Sequence, residues 1–103
     1  MAIISVKKYI NDSFSSISGR SLGKAVIEAL ENDNKQKIIL DFNSMSPFTS
    51  LFFNAMLEEL LGQGNIKVIN DSLIIKNLSN LDVKTYERCL NSAIQHQVKL
   101  DAD

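Results

Sequence analysis

Apolar positions along the chain follow two periods, one typical of strands and one typical of helices. Short apolar runs predict strands at 3–10, 37–42 and 73–78, and residues 66–70 fit either a strand or a loop. Apolar residues three and four positions apart predict helices at 20–32, from about 50 to the glycines at 62 and 64, and from the capping pattern that begins at Ser79.

This alternation of strands and helices predicts an α/β fold with a largely parallel or mixed sheet. We expect a single domain over residues 1–103, with a core spanning about 3–98. Because few helices are available, one face of the sheet should be poorly covered. Phe14 and Ile17 are expected to fold inward, and Ser18 or Ser21 is expected to cap the first helix.

Composition excludes several classes of function. The chain has 103 residues, a net charge of -1 and 22% charged residues, so it offers no basic surface for nucleic acid. No apolar run approaches the ~18–20 residues that cross a membrane. The single cysteine, Cys89, cannot form an internal disulfide. These features suit a cytoplasmic protein.

No set of residues indicates catalysis, a metal or a cofactor. Cys89 and His96 would lie two helical turns apart, about 10 Å along the axis, which is too far for a nucleophile and its base. Two ligands do not form a structural zinc site. Glu58 and Glu59 diverge around their helix by about 100°, so we expect solvent-facing charges and no enzymatic activity.

Two segments could still bind a ligand or a partner. Residues 18–24 contain two glycines and a lysine but lack the spacing of a phosphate-binding loop. Within them, Arg20 is either an anion- or partner-binding residue or an exposed residue at a helix start. Thr49 and Ser50 follow a buried strand and open a helix, where backbone N–H groups favour anions. Their hydroxyls are either caps or phosphorylation sites, although Ser46-Pro47 could also start this helix.

Several segments together resemble the STAS-like domains, which are related to the anti-sigma factor antagonists. The matching segments are residues 39–45, 48–55 and 74–82, together with Gly19-Arg20, Arg88 and residues 91–93. The resemblance covers about residues 3–96. It implies a mixed sheet of four to five strands packed with about three helices, no enzymatic activity, and a protein partner.

The resemblance also implies a role for the helix start. In the antagonists, an ATPase-type serine kinase phosphorylates a serine that corresponds to Ser50, and the kinase is related to histidine-kinase ATPases. Thr49-Ser50-Leu51-Phe52 lacks the Asp and Gly of the antagonist signature Asp-Ser-Ser/Thr-Gly, but it fits the Ser-x-Phe of the STAS-like branch. The residues expected to contact a partner or an anion are Arg20, Ser50, Leu51, Phe52 and Asn54.

The sequence therefore favours an interaction module that docks on a protein partner through Thr49-Ser50. Two alternatives stay open. The same helix start could sense a small ligand or nucleotide, or the domain could be a structural homodimer.

Overall fold

The computed structural model describes residues 2–32 and 37–102 of the chain. The strands are β1 (Ala2–Ser5), β2 (Ile38–Asp41) and β3 (Leu73–Lys76). The helices are α1 (Ser16–Asn32), α2 (Ser50–Leu61), α3 (Ile66–Asp71) and α4 (Asn80–Ala102), and a short 3-10 turn follows β1 at Val6–Lys8. The α/β class is confirmed.

The sheet has three parallel strands in the order β1-β2-β3 within the described residues, so the expectation of four to five mixed strands was wrong. Part of the reason is that the ambiguous segment 66–70 forms α3. Asn65 caps this helix, because its side-chain oxygen accepts hydrogen bonds from the amides of Lys67 and Val68. The expected first strand also ends early, at Ser5. With α3 included there are four α-helices where about three were expected.

Among the described residues, the helices cover one face of the sheet more fully than the other. Strands that follow one another in sequence and in space need crossovers of the same hand, which place their helices on the same side. Ile4, Leu40 and Ile75 are register partners, and their row faces the core. The alternate row begins with Ile3, whose side chain is 68% exposed. Ile39 and Ile74 of the same row are only partly buried, so this face is less covered than the one that carries the core.

Helix α1 begins at Ser16, one turn earlier than expected. Ser15 starts it, because its hydroxyl accepts a hydrogen bond from the Ser18 amide at 3.1 Å. Ser18 lies inside the helix and is buried, so it does not cap it, and Ser21 also lies inside it. Phe14 and Ile17 are 61% and 74% exposed, so their expected inward position was wrong.

Two glycines let α1 and α2 approach closely. A Cβ on Gly19 would collide with the backbone carbonyl of Phe52, and one on Gly23 would lie 2.9 Å from the Met56 carbonyl oxygen. The glycines of segment 18–24 therefore serve helix packing inside α1, and this segment is not a phosphate-binding loop.

The core lies between the sheet and these helices. Phe53, Met56, Leu57 and Leu60 of α2 are buried as predicted, and α2 ends at Leu61 before Gly62. Aromatic rings pack around the β2–α2 connection with ring centroids 5.2 Å apart for Phe42 and Phe48 and 5.3 Å apart for Phe53 and Tyr86. This packing fixes the position of the start of α2.

Candidate functional site

The β2–α2 connection, residues 42–49, leads from the central strand to the helix start that the sequence singles out. Its first turn is held by Asp41, whose Oδ1 accepts hydrogen bonds from the Asn43 amide and from Asn77 Nδ2, both at 2.8 Å. The Asn77 side chain, followed by the Asn43 amide, lowers the pKa of Asp41. Asn43 Oδ1 in turn accepts a hydrogen bond from the Lys7 amide. The turn is thus tied to the segments that follow β1 and β3.

Asp82 holds the second half of the connection. Its side chain is buried, with 1% exposed, and its carboxylate accepts hydrogen bonds from the Phe48 amide and the Ser46 hydroxyl, both at 3.1 Å. The predicted capping pattern is present in part, since the Asp82 amide donates to the Ser79 hydroxyl. Asp82 is the last residue of the capping pattern that begins at Ser79, and the sequence did not reveal that it also anchors the connection.

Thr49 is the N-cap of α2, and Ser46-Pro47 is not the helix start. The Thr49 hydroxyl accepts a hydrogen bond from the Phe52 amide at 3.2 Å and donates to the Phe14 carbonyl at 2.8 Å. Both capacities of this hydroxyl are therefore used inside the fold. A phosphate on Thr49 would break the cap and the contact with the segment before α1.

Ser50 is the first residue of α2, and its side chain is exposed. Leu51 is 59% exposed, and Asn54, one turn after Ser50, is also exposed. Phe52 is fully buried, so the expectation that it contacts a partner is corrected. Position 52 lies one turn before Met56 on the side of α2 that meets the α1 glycines. The exposed start of α2 thus consists of Ser50, Leu51 and Asn54.

A surface depression of about 250 Å³ lies beside this helix start, between α2 and α4. Its lining residues are Ser50, Asn54, Arg88, Cys89 and Ser92. Arg88 is exposed, and no carboxylate of the described residues lies within 4.0 Å of it. Cys89 is buried, and its thiol donates a weak hydrogen bond to the Ser50 carbonyl at 3.9 Å. The structure therefore brings a cation next to Ser50, although only the resemblance had pointed to Arg88.

Arg20 lies elsewhere. Its guanidinium Nη2 is 3.3 Å from Glu58 Oε2, and its Nη1 is 3.5 Å from Glu59 Oε1. These carboxylates lie eight and nine residues after Ser50, about 12 Å or more along α2. The structure does not bring Arg20 together with Ser50. The two glutamates are not simply solvent-facing charges, because both reach the same arginine.

We also searched the described residues for metal ligands, titratable side chains and membrane-spanning helices. They contain no group of three or more His, Cys, Asp or Glu side chains that could hold a metal ion. His96 is exposed on α4. Tyr86 is buried, and this burial raises the pKa of its hydroxyl. No helix in the described ranges combines the length and apolar character needed to cross a membrane.

Comparison with known proteins assigns a family. Residues 18–83 match the model of the family described as "STAS-like domain of unknown function (DUF4325)". No curated protein and no solved structure matches the chain. The matched residues run from the first turn of α1 to the first turn of α4, so they include the β2–α2 connection and Ser50 but not Arg88.

Proposed function

The chain belongs to the family of STAS-like domains of unknown function, and we propose that it is a non-enzymatic protein-interaction module that docks a partner through the exposed start of α2. In this proposal, phosphorylation of Ser50 controls the docking. The partner is an ATPase-type serine kinase, as the resemblance to the anti-sigma factor antagonists implies, and the complex forms in the cytoplasm.

The observation that carries the proposal is the position of Ser50. Its hydroxyl is exposed at the first position of α2, in the same depression as Arg88, whose guanidinium pairs with no carboxylate in the part of the chain that the structure describes. A phosphate there would gain from the positive end of the helix dipole and from a cation nearby. The fold can therefore accept nearly two added negative charges without unfolding.

Ser50 suits this role better than Thr49. The Thr49 hydroxyl holds the helix cap and the contact with Phe14, so its modification would disturb the fold. A kinase also needs an accessible hydroxyl, and the Ser50 side chain is exposed. Thr49 is best understood as the residue that fixes the backbone on which Ser50 is presented.

The surface around Ser50 also suits docking. Leu51 presents an exposed apolar side chain next to the hydroxyl, and Asn54 adds a polar group one turn later. A partner can bury Leu51 while it bonds to its polar neighbours. A phosphate on Ser50 would place charge beside that apolar contact, which would weaken the complex by desolvation and repulsion.

The test is affinity capture from the native host with three baits: wild type, Ser50→Asp and Asn80→Asp. Asn80 is the matched control, because it is the exposed first residue of α4 and the substitution adds the same charge at an equivalent helix position. We expect wild type and Asn80→Asp to retain an ATPase-type kinase that Ser50→Asp loses. Intact-mass measurement should show that a fraction of the recovered wild-type protein is heavier than the unmodified chain by about 80 Da, the mass of one phosphate group. Equal capture by all three baits would refute the proposal.

A further inference from the structure

Strand β3 is an edge of the sheet, and one side of its backbone has no partner among the described residues. The Ile38 amide donates to the Ser72 carbonyl at 2.8 Å, and the Phe42 amide donates to the Lys76 carbonyl at 2.9 Å. Residues 72, 74 and 76 therefore point their backbone groups towards β2. Because these directions alternate along a strand, the N–H and C=O groups of Leu73 and Ile75 face the free edge.

A groove of about 410 Å³ opens beside this edge, between β3 and α4. Its apolar lining consists of Leu73, Ile75, Leu78, Val83, Tyr86 and Leu90. Most of these side chains are only partly buried, although Tyr86 is 5% exposed and donates a hydrogen bond to Asn70 at 2.6 Å. Helix α4 thus overhangs the space next to β3 with its apolar face.

We propose that this groove binds an extended peptide segment of a partner protein, which adds to β3 as a fourth strand. Backbone groups of the segment would pair with those of Leu73 and Ile75 at the usual strand spacing of about 4.8 Å. Every second side chain of an added strand points to the same face as Leu73 and Ile75, so an apolar residue enters the groove beneath α4. This surface is distinct from the exposed start of α2.

The charge of the groove indicates which charged residue the bound peptide segment should carry. Glu87 is the one charged residue in the lining, its side chain is exposed, and no basic group of the described residues lies within 4.0 Å of its carboxylate. A lysine or arginine near the apolar residue of the segment would complement it. The expected ligand is therefore an extended peptide with alternating apolar positions and a basic neighbour.

The overhang of α4 favours one segment over a second copy of the chain. In an edge-to-edge dimer, the partner's β3 would take the place of the fourth strand, and each α4 would reach over the other copy's β3. Because the groove and α4 lie on the same side of each copy's sheet, the two α4 helices would compete for the space over the paired strands. A single strand brings no helix of its own and fills the groove without this clash.

The probe is a random octapeptide library on phage, selected on the wild-type protein. A recovered peptide is then synthesised with a fluorescent label and with single N-methyl groups on successive backbone amides. Strand addition predicts that N-methylation at alternate positions weakens binding at least about tenfold, while the intervening positions tolerate it. Enriched peptides should carry Lys or Arg, and Glu87→Lys should select acidic residues in their place.

A matched pair of protein variants locates the peptide. Leu90→Ser removes a partly buried apolar group from the groove and should weaken binding about tenfold. Ile39→Ser changes a partly exposed residue on the less covered face of the sheet and should leave the affinity unchanged. Far-UV circular dichroism checks the folding of both variants.

Three results would overturn the proposal. The selection could enrich no peptide, or N-methylation could act without a period of two. The third is a wild-type dimer in sedimentation that Leu90→Ser dissociates, because it would assign the groove to a second copy.

Discussion

Substitution of Gly19 by alanine tests the close contact between α1 and α2 on which the helix layer depends. A Cβ at this position would collide with the carbonyl oxygen of Phe52, and it would lie 3.1 Å from the Ala55 Cβ. The obstructing atom belongs to the backbone of α2, so no side-chain rotation can relieve the clash. The two helices would have to move apart at the start of α2.

The change in unfolding free energy caused by Gly19→Ala is the sum of two opposed contributions. Overpacking in a close-packed interior costs about 1–3 kcal/mol, and contact with a fixed carbonyl places Gly19→Ala at the upper end. Alanine in place of glycine inside a helix contributes about 1 kcal/mol in the opposite direction. We therefore expect a net loss of about 2 kcal/mol of unfolding free energy, or about 10 °C in Tm for a domain of this size.

The assay is urea unfolding followed by circular dichroism, with Gly62→Ala as the matched control. A Cβ on Gly62 meets nothing closer than the Glu59 carbonyl oxygen at 3.5 Å, an ordinary contact, so this variant should change stability by less than about 0.5 kcal/mol. Gly23→Ala should fall between the two, because its closest contacts are the Glu59 Cβ at 2.8 Å and the Met56 carbonyl oxygen at 2.9 Å, a milder overlap than the one at Gly19. A Gly19→Ala protein as stable as wild type would refute the close packing.

Three further perturbations test the frame around Ser50. Thr49→Ala should lower the unfolding free energy by about 1 kcal/mol in urea melts while Thr49→Ser retains it, since the hydroxyl caps α2; equal stability of the two variants would count against the cap. Asp82→Ala should cost about 1–3 kcal/mol in the same melts, because it leaves the buried amide of Phe48 without an acceptor, whereas a neutral result would show that another group replaces the carboxylate. The Asn77 side chain lowers the folded-state pKa of Asp41, so its contribution is present above the unfolded-state pKa of about 4 and is lost as pH falls below it. Asp41→Asn should therefore flatten the acid side of the stability-pH curve, and an unchanged slope would contradict this assignment.

Sequence periodicity predicted the elements that bury a regular apolar stripe. The α2 stripe from Phe53 to Leu60 and the central strand β2 appear where the pattern placed them. Element starts were less predictable, because they depend on individual hydrogen bonds. The start of α1 follows from Ser15, which lies in a segment whose Ser and Asp content is equally typical of a turn.

Two causes explain the error in strand number: a helix cap in the segment 66–70 and the expectation taken from the family resemblance. Residues 66–70 carry apolar side chains at spacings that fit more than one structure, and the capping group of Asn65 favours a helix. A fifth strand was expected from the resemblance rather than from any apolar run. If an extended segment adds to β3, the fourth strand of the sheet comes from another chain.

Contacts across the fold explain what the sequence could not place at the site. Phe52 is buried because α1 presents glycines opposite it, which a period counted along α2 alone does not reveal. Arg88 lies beside Ser50 only because α4 packs on α2. Arg20 pairs with carboxylates two turns further along α2, so Arg88, and not Arg20, is the cation in the depression beside Ser50.

The affinity of the captured kinase for homogeneous protein with and without phosphate on Ser50 tests the central claim most directly. Both forms can be compared by isothermal titration, with Arg88→Ala as a probe of the neighbouring cation. We predict that phosphate on Ser50 weakens the complex by at least about tenfold. Equal affinities of the phosphorylated and unmodified proteins would contradict the account and leave Ser50 as an ordinary first residue of α2.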